Sequence, residues 1–319
     1  MSDFEHLSEY ERPFRDGTTH TSTEFRLYIQ AMKNRPNPAD LDATVQFWEN
    51  KLETWEPYLT QSVAPDQALQ LHLLALSSAS TAYLRRYEVQ AEIQDLRQGL
   101  ALLQEAVELA PLESSNLPHY LNTLEYGLMT LYARTQSQGD VGIAYHFWEA
   151  VRSQVAGRPA LLASVLNNLG YWLTERSRFS GSRVDLDRAL ACCEEAIRLC
   201  LSGSPNLGRY LVNLGSALRC RFEADGVLED LEQSLEVGAQ AIEQTPHDTS
   251  NYPRALVNQG YALRDRYRAT ANLKDLEQAL KLWREAATIF SPQASELGRV
   301  QVAILEGLKE RYERVGSEF

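Results

Sequence analysis

The feature that most constrains this chain is an apolar segment that returns every 45 residues. Its six copies start at Leu76, Leu121, Leu166, Leu211, Leu256 and Gln301. Self-similarity at a period of roughly 20 to 50 residues is the signature of a solenoid, in which each unit packs mainly on its neighbours. The period therefore predicts an array of stacked units rather than separate globular domains.

A second series shows that each unit contains two helices. Asp95, Asp140, Asp185, Asp230 and Asp275 each open an apolar run. In the last run, Leu276, Leu280 and Trp283 recur at helical spacing. Aspartate is a good N-cap, so we expect these residues to cap second helices, with glutamine three residues on completing a capping box in three copies: Gln98, Gln233 and Gln278. Proline soon after a second helix prevents its continuation, as at Pro246.

These patterns predict an all-α fold, a right-handed superhelical solenoid of stacked antiparallel helix pairs. Residues 66–294 contain five pairs of 45 residues, and residues 295–319 form an unpaired or capping helix. Residues 24–65 read as an atypical capping pair, with a longer connection around residues 56–66 because the spacing there is 55 residues. Residues 1–23 show no periodicity and are expected to form a flexible tail.

Charge and cysteine content restrict the environment and the partners. The net charge of −12 repels phosphate backbones, so we expect no nucleic acid partner. Neither a signal peptide nor an apolar stretch long enough for a membrane span is visible, so we expect no membrane partner and a cytoplasmic location. The four cysteines are expected to stay reduced there, with Cys193 in the core and Cys220 exposed.

Motifs for chemistry are missing from the sequence. The cysteines include no C-x-x-C pair, and no histidine lies three or four residues from a cysteine or another histidine, so we expect no metal site. We see no phosphate loop, no H-E-x-x-H and no G-x-S-x-G, and we expect no cofactor and no catalytic residue. An enzyme built from dispersed residues stays open, because Tyr126, Tyr171, Glu175 and Tyr261 could line a small-molecule pocket.

The repeat resembles the tetratricopeptide repeat. The residues that carry the resemblance in one unit are Leu211, Leu214, Gly215 and Leu218, then Ser234, Ala241 and Pro246. The unit is about ten residues longer than the standard repeat, because extra residues separate the core of its first helix from the start of its second. In this it is similar to extended repeats that accompany CHAT-type proteases or signalling NTPases, although no such catalytic domain is visible.

Several recurrent residues are interpreted as structural. Trp48, Trp148 and Trp283 share one site in second helices and are expected in the core, while Gly170, Gly215 and Gly260 allow close helix approach. Arginine recurs near the end of the first helix, at Arg86, Arg176, Arg221, Arg266 and Arg311. We favour a structural role, in which each arginine pairs with a nearby Asp cap or with exposed carbonyls at a helix C-terminus, over an anion-binding ladder.

The resemblance implies a concave groove lined by first helices, and the register assigns its candidate residues. They are Asn168, Asn213, Asn258, Tyr126, Tyr171, Tyr261, Arg209, Arg254, Arg264 and Arg299. Asparagine amides can hold a peptide backbone, although the alternative is that they only bridge helices within the stack. The arginines suit an acidic segment.

The leading hypothesis is therefore a protein-interaction scaffold that binds a partner protein or peptide in the groove. The alternatives are a regulatory or sensor subunit that works with a CHAT-type protease or NTPase in signalling or defence, and a helical-array enzyme. A homodimer through the C-terminal helix is the alternative to a capped monomer.

Overall fold

The computed structural model describes residues 38–62, 65–201, 203–291 and 295–316. The predicted tail, residues 1–23, and the predicted helix over residues 24–34 lie outside these ranges. The described residues form twelve helices and no strand. The helices are α1 Pro38–Ser62, α2 Pro65–Gln90, α3 Ile93–Leu109, α4 Leu117–Thr135, α5 Gln138–Gln154, α6 Pro159–Ser180, α7 Arg183–Leu199, α8 Leu207–Asp225, α9 Leu228–Gln244, α10 Asn251–Thr270, α11 Leu273–Ile289 and α12 Ser295–Gly316. The all-α repeat architecture predicted from the period is confirmed.

The chain is divided into two compact units, which we call the first unit, up to Leu131, and the second unit, from Tyr132 onwards. Long first helices alternate with second helices of constant length. From α3 to α11, every second helix has 17 residues, whereas the first helices from α4 to α10 have 19 to 22 residues. Within the second unit, each helix from α6 to α12 packs on its sequence neighbour, which is the nearest-neighbour packing expected of a solenoid.

The second helices start three residues earlier than the aspartate series predicted. Asp185 lies at the third position of α7, and Ser182 is the N-cap, whose hydroxyl accepts a hydrogen bond from the Asp185 amide. Ser137 caps α5 in the same way. The prediction that the aspartates are N-caps was therefore wrong, and with it the capping boxes at Gln98, Gln233 and Gln278. The carboxylates have another partner.

Each recurrent arginine that precedes a second helix forms an ion pair with the aspartate nine residues later. The pairs are Arg86–Asp95, Arg176–Asp185, Arg221–Asp230 and Arg266–Asp275, and each makes two side-chain hydrogen bonds of 2.5 to 2.9 Å. The aspartates are buried, so this bidentate geometry neutralises a charge that burial would otherwise penalise. Pairing, rather than an anion ladder, is confirmed for these four arginines. Where Leu131 replaces arginine, the Thr135 hydroxyl donates to Asp140.

The N-terminal end of the repeat array differs from the prediction, which placed a long connection around residues 56–66. Helix α1 has 25 residues and runs through this region to Ser62, and α2 begins at Pro65. The ten extra residues of the 55-residue spacing therefore lengthen a helix instead of a loop.

The core is formed by residues at equivalent positions of the repeats, whose identity varies between copies. Trp148 and Trp283 are fully buried and Trp48 nearly so, which confirms their structural role. Gly260 faces Trp283 so closely that a Cβ atom would collide with the indole ring. Cys193 is buried as expected, but Cys220 is also buried, and its predicted exposure was wrong because its position on α8 faces the stack.

Candidate binding surface

The predicted asparagines divide between the stack and the surface of the second unit. Asn168 is buried, and its side-chain oxygen accepts hydrogen bonds from Asn167 and Arg209. Asn213 donates to the Asn167 oxygen at 2.9 Å, which joins α8 to α6. These amides bridge neighbouring first helices. Asn258 is half-buried and forms no hydrogen bond with any described residue.

Most of the predicted arginines are already paired across neighbouring first helices. Arg254 on α10 pairs with Glu296 on α12 at 2.6 Å, and Arg264 pairs with Glu306 at 2.8 Å. The Arg264 guanidinium is nearly buried and also lies over the Tyr261 and Trp283 rings. These arginines therefore serve the stack first, which removes most of the positive charge that the sequence pattern assigned to the groove.

The carboxylate partners were missed at the sequence level, although a signal for them exists. Three inter-helix pairs are separated by 42 residues, which is one repeat less three: Arg254–Glu296, Arg264–Glu306 and Arg268–Glu310. Arg219 pairs with Asp265 at an offset of one repeat plus one. An offset near the period places two residues side by side on adjacent first helices, so opposite charges at 42 or 46 residues predict this ladder.

Arg299 is the exception. It is exposed on α12 and forms no ion pair or hydrogen bond with any described residue. Its guanidinium lies close enough to the phenols of Tyr132 and Tyr171 for its charge to act on both. Tyr132 lies near the end of α4 and Tyr171 on α6, and both residues belong with Arg299 to the second unit. We call Tyr132, Tyr171, Tyr261, Arg254 and Arg299 the tyrosine–arginine patch.

The Tyr132 and Tyr171 phenols of the patch are held in their neutral form. Burial raises the pKa of Tyr171, and the Glu175 carboxylate raises it further, while Arg299 and Arg254 oppose the shift. Burial likewise raises the pKa of Tyr132, whose hydroxyl donates to Glu175 at 2.8 Å. Tyr132 was not among the predicted residues. At neutral pH the patch therefore presents the neutral Tyr132 and Tyr171 phenols beside the Arg299 guanidinium, and this guanidinium is a donor suited to a carboxylate or a carbonyl oxygen.

A cavity of about 340 Å³ adjoins the patch between α10 and α12. It is lined by Tyr261, Arg264, Gly298, Arg299, Val302, Ala303 and Glu306. The lining combines an aromatic face, an apolar wall and the Arg299 charge. Such a space can take a single side chain of a bound peptide, with the charge fixing its orientation.

Three further observations concern Tyr126, metal-binding groups and membrane-spanning helices. Tyr126 is 69% exposed and belongs to the first unit. Among the residues that the structure describes, no group of three or more His, Cys, Asp or Glu side chains could hold a metal ion. Within the same ranges, no helix is both long and apolar enough to cross a bilayer.

The comparison with known proteins finds a match for the helix pair α6 and α7, which carries Asn168 and Tyr171. A model of the tetratricopeptide repeat family matches residues 162–197, which cover most of α6 and α7. This helix pair is similar to a tetratricopeptide repeat. The Gly170 backbone of that repeat meets Cys193 and Ala189 on the second helix, the close helix approach that the resemblance implied. Tetratricopeptide repeats generally bind other proteins.

Solved structures that match the chain at low sequence identity include a protein from P. vanneervenii and a de novo design. BtubC (BKLC) from P. vanneervenii is 16% identical, with a TM-score of 0.47, and the match covers 80% of this chain and 94% of that protein. The de novo designed helical repeat protein DHR64 is 19% identical, with a TM-score of 0.23, over 80% of this chain and all of the design. No curated protein sequence matches the chain significantly.

Proposed function

We propose that the second unit is a protein-interaction module that binds a segment of a partner protein on the tyrosine–arginine patch, with Arg299 pairing with a carboxylate of that segment. The observation that carries the proposal is that Arg299, alone among the predicted arginines, is without a partner among the described residues and faces two neutral phenols. A charged donor left unpaired beside a cavity has its hydrogen-bonding capacity available for a ligand.

The ladder beside the patch supports this assignment. Because Arg254 and Arg264 hold α10 against α12, they fix the frame on which Arg299 and Tyr261 are presented. A rigid frame lowers the entropic cost of ordering the binding residues. Asn258, half-buried on α10, adds a free amide that can meet a peptide backbone.

The overall charge makes the interaction selective. The chain carries a net charge of −12, so an acidic partner is repelled at long range and attracted only close to Arg299. A partner with one or two carboxylates in an otherwise neutral segment fits this balance better than a strongly acidic one. A homodimer through the C-terminal helix, a cytoplasmic location and a regulatory role beside a protease or NTPase stay separate predictions.

An array of short peptides with acidic, neutral or basic centres, probed with the purified chain, tests the proposal. We expect peptides with a single acidic centre to bind best, and the Arg299→Glu variant to lose at least about tenfold in affinity for them. Arg284→Glu is the matched control, because Arg284 is exposed on the second helix α11 and undergoes the same change of charge. Equal binding of acidic and neutral peptides, or full binding by Arg299→Glu, would contradict the proposal.

A further inference from the structure

The second helix α9 has Gly238 at a core site where the equivalent second helices carry a side chain. The equivalent residues in the other copies are Trp48, Leu103, Trp148, Cys193 and Trp283. Trp283 fills the space beside Gly260 on the preceding first helix, where a Cβ atom would collide with its indole ring. At the equivalent Gly215, the atom nearest to a Cβ atom would be 3.5 Å away, on Ser234. The two glycines Gly215 and Gly238 therefore leave a gap inside the stack.

The next first helix places a polar side chain in this gap. Gln259 on α10 stands where the equivalent first helices have Leu124, Leu169 and Leu214. A Cβ atom at Gly238 would collide with the Gln259 amide oxygen, so this oxygen occupies the space of the missing side chain. The amide nitrogen of Gln259 donates to the Leu235 carbonyl oxygen at 3.1 Å. This hydrogen bond fixes the orientation of the amide, because a flipped amide would bring two acceptor oxygens together.

The Gln259 amide oxygen is an acceptor that the protein leaves unused. It is buried and has no hydrogen-bond partner among the described residues. Unpaired buried acceptors are unfavourable, and few of them occur in native structures. A donor that reaches this oxygen would therefore bind favourably, whereas the equivalent leucines of the other repeats offer it no acceptor.

A cavity connects this oxygen with the surface of the first helices. Its rim includes Ser216 on α8 and Asn258 on α10, which are half-buried, and its floor includes the buried residues Ser234 and Gly238 on α9. The cavity leaves about 10 Å³ for the centre of a water-sized group, which is roughly the room that one water molecule needs. A hydroxyl group is the side-chain donor of this size, since amides, indoles and guanidinium groups are larger.

We propose that this cavity, which we call the Gln259 pocket, binds the hydroxyl of a serine in the partner segment. The serine hydroxyl donates a hydrogen bond to the Gln259 amide oxygen and takes the place that water would otherwise fill. The inference rests on the proposed function and adds a second point of recognition to it. Asn258, at the rim of the pocket, is the residue whose amide meets the backbone of the same segment.

The position of the pocket restricts the sequence of the segment. The pocket lies between α8 and α10, which pack on each other, and Arg299 lies on the next first helix, α12. Packed helices are about 8 to 10 Å apart, and an extended peptide rises about 3.3 Å per residue. The serine is therefore expected about three to five residues from the acidic residue that pairs with Arg299, on one side of it only.

A serine scan tests the Gln259 pocket. The peptides carry one central glutamate in an alanine background, and serine is placed in turn at each position on both sides of the glutamate. Fluorescence anisotropy measures their binding to the full chain. We expect serine to bind about three- to tenfold better than alanine at one position. At that position α-aminobutyrate, whose methyl group replaces the hydroxyl at similar size, should bind no better than alanine.

Two variants assign the preference to the pocket. Gln259→Leu removes the acceptor and should abolish the preference for serine, while the preference for a central glutamate over glutamine stays, because it depends on Arg299. Gly238→Cys combined with Gln259→Leu reproduces the residues found one repeat earlier, Cys193 and Leu214, and should have the same effect with the gap filled. Circular dichroism verifies that both variants keep their helices.

The outcomes separate the pocket from the proposed function. A scan without any serine preference, with glutamate still preferred over glutamine, would overturn the pocket and leave water as its occupant. A serine preference that persists in both variants would also overturn it. A serine preference without a glutamate preference would support the pocket and contradict the role of Arg299, and no binding by any peptide would contradict both.

Discussion

At the scale of single residues, the molecule depends on buried carboxylates that are matched by arginine. Asp230 is buried and accepts two hydrogen bonds from Arg221, at 2.5 and 2.7 Å. These hydrogen bonds raise the pKa of Arg221 despite its partial burial. This Arg–Asp pair recurs in four repeats, so it stabilises the repeat itself. We expect binding to depend on residues that do not belong to these pairs, such as Arg299.

Removal of the guanidinium tests the structural role of this pair. Arg221→Ala leaves the Asp230 carboxylate buried without its partner, and we expect a loss of about 2 kcal/mol in the free energy of unfolding, measured with urea. Arg198→Ala breaks an exposed pair with Glu195 and should change stability by less than about 0.5 kcal/mol. An equal effect of both substitutions would contradict the assignment.

The raised pKa of Tyr132 leads to a prediction about stability at alkaline pH. Because burial raises the pKa of Tyr132, the folded state keeps its proton above pH ~10, where unfolded tyrosines ionise. Stability due to this group is fully present below pH ~10 and is lost as pH rises further. Between about pH 9.5 and 11, the wild type should lose unfolding free energy more steeply than Tyr132→Phe. Parallel losses in urea titrations would show that Tyr132 ionises alike in both states.

At the scale of helices, sequence register predicted the elements well and their partners poorly. Periodicity located α6 to α11, but Asp185 proved to be the third residue of α7 and not its cap. Single-residue propensity could not separate these positions, because acidic residues are favoured throughout the first turn of a helix. The pairing of Arg264 with Glu306 was missed because it depends on how adjacent first helices align, which no single unit reveals.

Helix packing makes a matched prediction for two glycines. Gly260→Ala places a methyl group against Trp283 and should destabilise the fold by roughly 1 to 3 kcal/mol. Gly142 is also helical but has no atom near its missing side chain, so Gly142→Ala should stabilise by up to about 1 kcal/mol. Thermal unfolding followed by circular dichroism compares the two variants. Stabilisation by Gly260→Ala would show that the close approach is not required.

At the scale of the whole molecule, a fixed frame and a variable surface divide the residues between stability and binding. The period predicted the frame, including the tryptophan core and the close glycine contacts. It could not predict which groove residues stay available, because availability depends on neighbours one repeat away. Asn168 and Arg254 are used within the stack, whereas the side chains of Arg299 and Asn258 have no hydrogen-bond or ion-pair partner among the described residues.

The central claim is that Arg299 recognises a carboxylate, and a reciprocal charge exchange measured by isothermal titration calorimetry tests it most directly. We expect Arg299→Glu in the protein, or replacement of the acidic residue by lysine in the best array peptide, each to weaken binding about tenfold or more. The two changes together should recover most of the lost affinity, because the ion pair is restored with its charges reversed. Losses that simply add in the double exchange would contradict a direct contact between Arg299 and the ligand.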